Sequence, residues 1–200
     1  MLRRVLSVVL VAGVLFAAVG GGWLVAGGPM RGAADAPLTV DADTAAEHGF
    51  GEPSVEPVQF QERLRVGGIE KQVDLSAYVM TTTHEETGAA VVTVSLPGWS
   101  VGGVSLNPLT YAPLKQAVTY VLPYLPMDTP EVTWAGEATV DLGGESVTAG
   151  EYEVEGDAPR LVVARETMDG DTVFAVGVYS AERPGSRDAV DALFAALTHG

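Results

Sequence analysis

The first charge-free stretch of the chain sets it apart from the rest. From Val5 to Met30 no charged side chain occurs, a run of 26 residues. Beyond it, short apolar and alternating stretches are separated by glycine-rich turns. Residues 31–54 are rich in Ala, Asp, Gly and Pro and read as a linker. One short helix is expected within it, capped by Asp43 and running through Ala45 to Gly49. From Val55 onward strands dominate. Arg63 to Val66 and Ile69 to Leu75 flank Gly67-Gly68, a pair that accepts the positive φ angles of a hairpin turn. Ala89 to Leu96 is a β-branched run. Val132, Trp134, Ala138, Val140 and Leu142 alternate with polar residues, the period of a strand with one buried face. Gly143-Gly144 turns the chain into Ser146 to Val154, whose alternation slips near Gly150. Leu161 to Thr167 follows, and Asp169-Gly170 turns it into Val173 to Tyr179. Four consecutive strands joined this way form an antiparallel meander. The nearly continuous apolar runs at Leu161–Ala164 and Val173–Tyr179 predict a sheet centre covered on both faces.

Two helices supply that cover. Ser186 is the expected N-cap of a C-terminal helix with Val190, Leu193, Phe194 and Leu197 on one face. A second starts near Thr110, tolerates Pro113 in its first turn, aligns Leu114, Ala117, Val118 and Val121, and stops at Pro123. The predicted fold class is α+β: an antiparallel meander packed by two or more helices, behind one N-terminal transmembrane helix. The expected divisions are an anchor or uncleaved signal at 1–30, a linker at 31–54 and an extracytoplasmic α+β domain at 55–200.

The membrane assignment follows from length. About 20 apolar residues cross the hydrocarbon core as a helix, so Val5–Met30 is long enough. Arg3-Arg4 before it places the N-terminus in the cytoplasm. The rival is a cleaved signal peptide with an apolar region at Val5–Ala18, which leaves the domain secreted. Trp23 and Leu24-Val25 extend the run past such a region, and Pro37 follows the small residues Ala34-Asp35-Ala36 where cleavage would fall. These features favour the uncleaved span.

Charge changes the picture of the remainder. Arg3 and Arg4 are two of the chain's 11 basic residues, and all 26 acidic ones lie beyond position 30, so nine bases face 26 acids there. Such a surface excludes nucleic acid as a partner, because phosphate binding needs Lys/Arg. Only Lys71 and Lys115 represent lysine. Carboxylates stay hydrated while salt screens their repulsion, whereas lysine stems expose apolar surface. The pattern is that of a halophilic, acidic cell-surface protein, or of an acidic protein from a GC-rich genome. The absence of cysteine excludes thiol catalysis, Cys-ligated zinc and disulfides.

The stretch Ser100-Val101-Gly102-Gly103-Val104-Ser105-Leu106-Asn107-Pro108-Leu109 resembles a motif of the DUF6517 family, haloarchaeal exported proteins of unknown function, in which such a strand precedes a helix. Gln72–Tyr78, Asp171–Tyr179 and the terminal helix ending at His199 are similar in order, so the resemblance covers roughly residues 58–199. Many relatives carry a lipobox cysteine that this chain lacks, which implies a protein anchor instead. The family implies no activity, cofactor or site residues. A looser fold likeness to PsbP/Mog1-like α/β sandwiches implies a binding or assembly accessory.

Candidate chemistry is sparse. His84-Glu85-Glu86 lacks the second histidine of a zinc helix, position 88 being glycine, and reads as a loop. Asp169-Gly170-Asp171 lacks the further ligands of a calcium loop and reads as a turn. Glu151, Glu153 and Glu155 alternate as the wet face of a strand. No Gly-x-Ser-x-Gly elbow occurs. Trp99, Ser105 and Asn107 are the candidate binding residues: the glycines around them allow close approach of a partner, and Asn107 before Pro108 suits a helix cap. The plainer reading of the segment is a core tryptophan and a strand-to-helix connection. The expected function is a non-catalytic binding or accessory module of the cell envelope, without cofactor or metal. Its expected contacts are the membrane, through the N-terminal helix, and an envelope protein partner. A hydrolase with a dispersed site and a structural envelope component are the alternatives.

Overall fold

Turn chemistry sets the strand order. The computed structural model describes residues 30–66, 69–98, 100–101, 104–105, 110, 113–122, 131–154 and 159–200. The expected membrane span lies outside the described residues. Among those described, no helix is long and apolar enough to cross a membrane. Gly143-Gly144 takes φ of 62° and 88°, and Asp169-Gly170 takes 50° and 98°. Positive φ at both central residues matches the twist of antiparallel strands. These turns join β8 (Val132–Leu142) to β9 (Glu145–Val154) and β10 (Arg160–Met168) to β11 (Asp171–Tyr179), completing the expected meander.

The meander is half of one mixed sheet. Ahead of it run β1 (Met30–Ala33), β2 (Leu38–Thr39), β3 (Ser54–Val66), β4 (Ile69–Thr83) and β5 (Ala90–Leu96). The strand order is β1-β4-β5-β11-β10-β9-β8, with β3 paired to the other edge of β4. The β3–β4 hairpin keeps its register from Ser54↔Thr81 to Val66↔Ile69. Strand β5 covers only the far part of β4, from Tyr78 to Thr83, and β1 takes over the same edge from Val73 to Ser76 as the one parallel pair among the described strands of this sheet.

Both faces of the centre are buried, as the apolar runs predict. Every residue of β11 is buried. On one face, Val162, Ala164, Val173 and Ala175 pack against Val190, Leu193, Phe194 and Leu197 of the C-terminal segment, whose helix α3 spans Ser186–Ala196. On the other, Leu161, Val163, Phe174 and Val176 pack against Val118 and Leu122, with helix α2 at Leu114–Val121. Each fully buried Leu or Phe contributes roughly 1.5–3 kcal/mol by leaving water. The fold class is α+β.

Residues 31–54, expected to be a linker, are part of the domain. Leu38, Val40, Ala45 and Phe50 are core residues on the α3 face. The backbone of Leu38 is held over β5, where Ser95 Oγ accepts from its N–H at 2.8 Å and Thr93 Oγ1 donates to its carbonyl at 2.5 Å. Strand β2 also pairs with β12 (Thr198–His199). The segment's small polar composition conceals this, because its hydrogen-bond partners are two inward-facing polar residues about 55 positions away.

Three local expectations shift. Helix α1 (Ala42–Glu47) forms where expected, but its N-cap is Asp41, whose Oδ1 accepts from Thr44 N at 2.9 Å. The N-cap of α3 is Gly185 at φ 77°, while Ser186 Oγ accepts instead from Ser180 N at 3.1 Å. The register slip falls in β8, between Trp134 and Gly136, and β9 pairs without a break through Gly150. Gly150 has a packing role: a Cβ there would lie 2.6 Å from the Trp134 ring.

That ring packs edge-on against Tyr152, with centroids 5.3 Å apart. The Tyr152 hydroxyl donates to the Leu114 carbonyl at the start of α2. Burial pushes the phenol up to about 12 from its usual 10. Because the folded state holds this proton more tightly, its contribution is complete below pH 10 and is lost as pH rises from about 10 to about 12. Denaturant titrations of wild type and Tyr152→Phe check this. The wild type is expected to lose up to about 2 kcal/mol more than the variant across that window, and parallel profiles would rule it out.

Candidate functional site

Strand β5 ends at Leu96, and the chain then meets the β10–β11 turn at close quarters. A Cβ on Gly98 would fall 1.4 Å from the Gly170 carbonyl oxygen, so only glycine fits there. The Gly98 N–H donates to Asp171 Oδ1 at 3.3 Å. The chain goes on through β6 (Ser100–Val101) and β7 (Val104–Ser105), a two-stranded ribbon with Ser100↔Ser105 in register. It comes back at Thr110, whose hydroxyl lies 2.8 Å from that of Thr172. Both ends of the 99–109 excursion are therefore tied to consecutive residues of β11.

Asp171 is the centre of this arrangement. It is 2% exposed, and its Oδ2 accepts from Asp35 N at 2.7 Å and Ala36 N at 3.5 Å. The His199 ring is buried beside it, with Nε2 3.4 Å from the same oxygen and Nδ1 3.3 Å from Asp169 Oδ2. His199 Nε2 has no hydrogen bond. One carboxylate thus gathers the N-terminal segment, the end of β5 and the chain's penultimate residue. A buried carboxylate requires such donors, since desolvation without them costs several kcal/mol.

Of the sequence-predicted site residues, Trp99 and Asn107 lie outside the described residues, and Ser105 lies in β7 opposite Ser100. Asp171 and His199 escape sequence reading as a pair because 28 residues separate them, and Asp-Gly-Asp signals only a turn. The short apolar-free ending Thr198-His199-Gly200 holds no periodic signal that would place the histidine inside.

The other candidates are structural. His84 sits in the β4–β5 loop, where its Nδ1 accepts from Glu86 N and Thr87 N at 3.2 Å and its ring packs edge-on against Phe50. Glu153 pairs with Arg160 at 3.0 Å and Glu151 with Arg187 at 2.5 Å, while Glu155 lies outside the described residues. Arg187 also pairs with Asp191 at 2.9 Å and lies over the Tyr179 ring. Desolvation is outweighed by Asp191, Glu151 and the Tyr179 hydroxyl, which raise its pKa; Glu151 ties α3 to β9, and Tyr179 ties it to β11. Among the described residues no group of three or more His, Cys, Asp or Glu is placed to hold a metal ion. A groove of about 560 Å³ lies at the opposite end of the sheet, between Thr83, Val178, Glu182 and Arg183. The Arg183 guanidinium is turned to the Thr87 carbonyl at 2.6 Å, and no histidine lines the groove.

These features define an α+β domain on one mixed sheet, with a buried carboxylate gathering distant segments of the chain. The chain belongs to the DUF6517 family, a domain of unknown function, whose model matches residues 37–198. No curated protein and no solved structure matches it.

Proposed function

We propose that the chain is a membrane-anchored extracytoplasmic domain that acts as a non-catalytic binding or accessory module of a halophile's cell envelope. The observation that supports it most is the continuity at Met30. The charge-free run ends at the residue where β1 begins, so a membrane span there leads directly into the sheet. In this reading the protein spans the cell membrane once, with its N-terminus in the cytoplasm. The 99–109 segment, whose flanking residues Gly98 and Thr110 are both tied to β11, is the natural place for a partner to bind, as recognition segments usually rest on such scaffolds.

Affinity capture from membranes in molar salt tests the accessory role. A specific envelope protein is expected. Hydrolytic activity in the purified domain without any specific partner would overturn the reading. Mass spectrometry of the membrane-extracted protein is expected to find the N-terminal run intact, and a mature chain starting near residue 30 would refute the anchor. Nine bases against 26 acids beyond residue 30 support salt adaptation. Cooperative thermal unfolding is expected to be lost below about 0.5 M salt, and equal stability in dilute buffer would reject it.

A further inference from the structure

The β3–β4 hairpin is longer than the sheet it belongs to. Tyr78 is the last β4 residue paired with β5, and the ribbon continues nine residues further to Ile69, about 30 Å at 3.3 Å per residue. Strand β1 runs parallel to β4, from Met30↔Val73 to Ala33↔Ser76. Followed backwards, β1 at Met30 therefore heads toward the hairpin's tip. Met30, the last residue of the charge-free run, lies about 13 Å short of Ile69 along the ribbon.

Register divides the ribbon into unlike faces. Phe60↔Leu75, Glu62↔Val73, Leu64↔Lys71 and Val66↔Ile69 share one face, which is mostly apolar and ends in an apolar pair. Gln59↔Ser76, Gln61↔Asp74, Arg63↔Gln72 and Arg65↔Glu70 share the other, which is entirely polar. Charge separates the ribbon from the body. Arg31, Arg63, Arg65 and Lys71 offset Glu62, Glu70 and Asp74 on β1 and the ribbon, leaving five basic residues against 23 acidic ones in the remaining domain. Arg31 and Asp74 pair at 3.7 Å.

We propose that the tip of the β3–β4 hairpin inserts its apolar Leu64, Val66 and Ile69 positions into the outer interface of the lipid bilayer, beside the N-terminal span. This rests on the anchor reading. The ribbon carries no net negative charge to repel anionic headgroups, and it points where the span leads. Apolar insertion of this kind persists in high salt, where a Debye length of about 3 Å removes purely electrostatic attraction. The acidic body is then held off the membrane by the length of the ribbon.

The chain's lack of cysteine makes single labels simple. Full-length protein with Ile69→Cys, Leu10→Cys or Thr148→Cys is labelled with an environment-sensitive nitrobenzoxadiazole dye. It is then reconstituted into phosphatidylcholine–phosphatidylglycerol vesicles containing a lipid quencher just below the headgroups. Emission at position 69 is expected to shift to the blue and to fall severalfold with quencher lipid, in dilute buffer and in molar salt. Position 148, exposed on β9, should stay water-like. Water-like emission at 69 with quenching at 10 overturns the hairpin proposal while the anchor stands. A blue shift at 69 that quencher lipid leaves unchanged assigns the tip to a second copy and also overturns it. No quenching at either position overturns both readings, and quenching at 69 alone removes the span and with it the placement of the hairpin beside one.

Discussion

Replacing Asp171 by alanine is expected to lower stability by about 3–5 kcal/mol, read as a drop in denaturant midpoint at constant m. The carboxylate is 2% exposed and accepts from Asp35, Ala36 and Gly98, so its removal takes the acceptor from three part-buried N–H groups. Each lost bond costs about 0.5–1.5 kcal/mol, and His199 Nε2, 3.4 Å away, loses the carboxylate beside it. Asp171→Asn keeps an acceptor and the volume, so about half the loss is expected. Because one end of the 99–109 excursion is tied to this side chain, limited proteolysis inside it should speed up more than global unfolding predicts. A loss below about 1 kcal/mol would mean that the carboxylate does not organise this end of the sheet.

The second large effect is expected at Gly177, near the end of β11. A Cβ there would lie 2.2 Å from Val190 Cγ1 and 2.9 Å from Val162 Cγ1. Both valines are fully buried, so neither can move aside without displacing α3 or β10. Gly177→Ala is expected to cost about 3 kcal/mol, at the upper end for one inserted methyl. Val190→Ala alone should cost about 2 kcal/mol through the cavity it leaves. Combined, the methyl occupies the vacated space, and the double variant is expected to be at least about 1 kcal/mol more stable than the sum of the two losses. Strict additivity, measured by denaturant unfolding, would show that the helix does not impose the glycine.

Much of the α3 packing was readable beforehand, because Val190, Leu193, Phe194 and Leu197 recur at helical spacing and all four are buried. The meander was equally readable, since its turns need residues that accept positive φ and its strands show period two or solid apolar runs. Family membership was visible through the Ser100–Leu109 stretch and the order of Gln72–Tyr78, Asp171–Tyr179 and the terminal helix around it. The fate of residues 31–54 was not. Their few apolar residues, Leu38, Val40 and Phe50, follow no period, and the groups that bind Leu38 are Ser95 and Thr93, polar residues inside an apolar strand. The gathering of chain ends at Asp171 was hidden for the same reason: its donors lie up to 136 positions away.

Local pattern was enough to determine the charge-free N-terminal run, the acidic remainder, the absence of thiol chemistry, the meander and the two covering helices. Each depends on composition, on a period or on a turn residue, all of which act over a few neighbouring positions. The buried Asp171–His199 contact, the seating of the supposed linker over β5, the fit of Gly177 beneath Val190 and the direction in which β1 meets the long hairpin came only with the folded chain. They are contacts between segments far apart in sequence, and no local pattern encodes which distant backbone will arrive beside a given side chain.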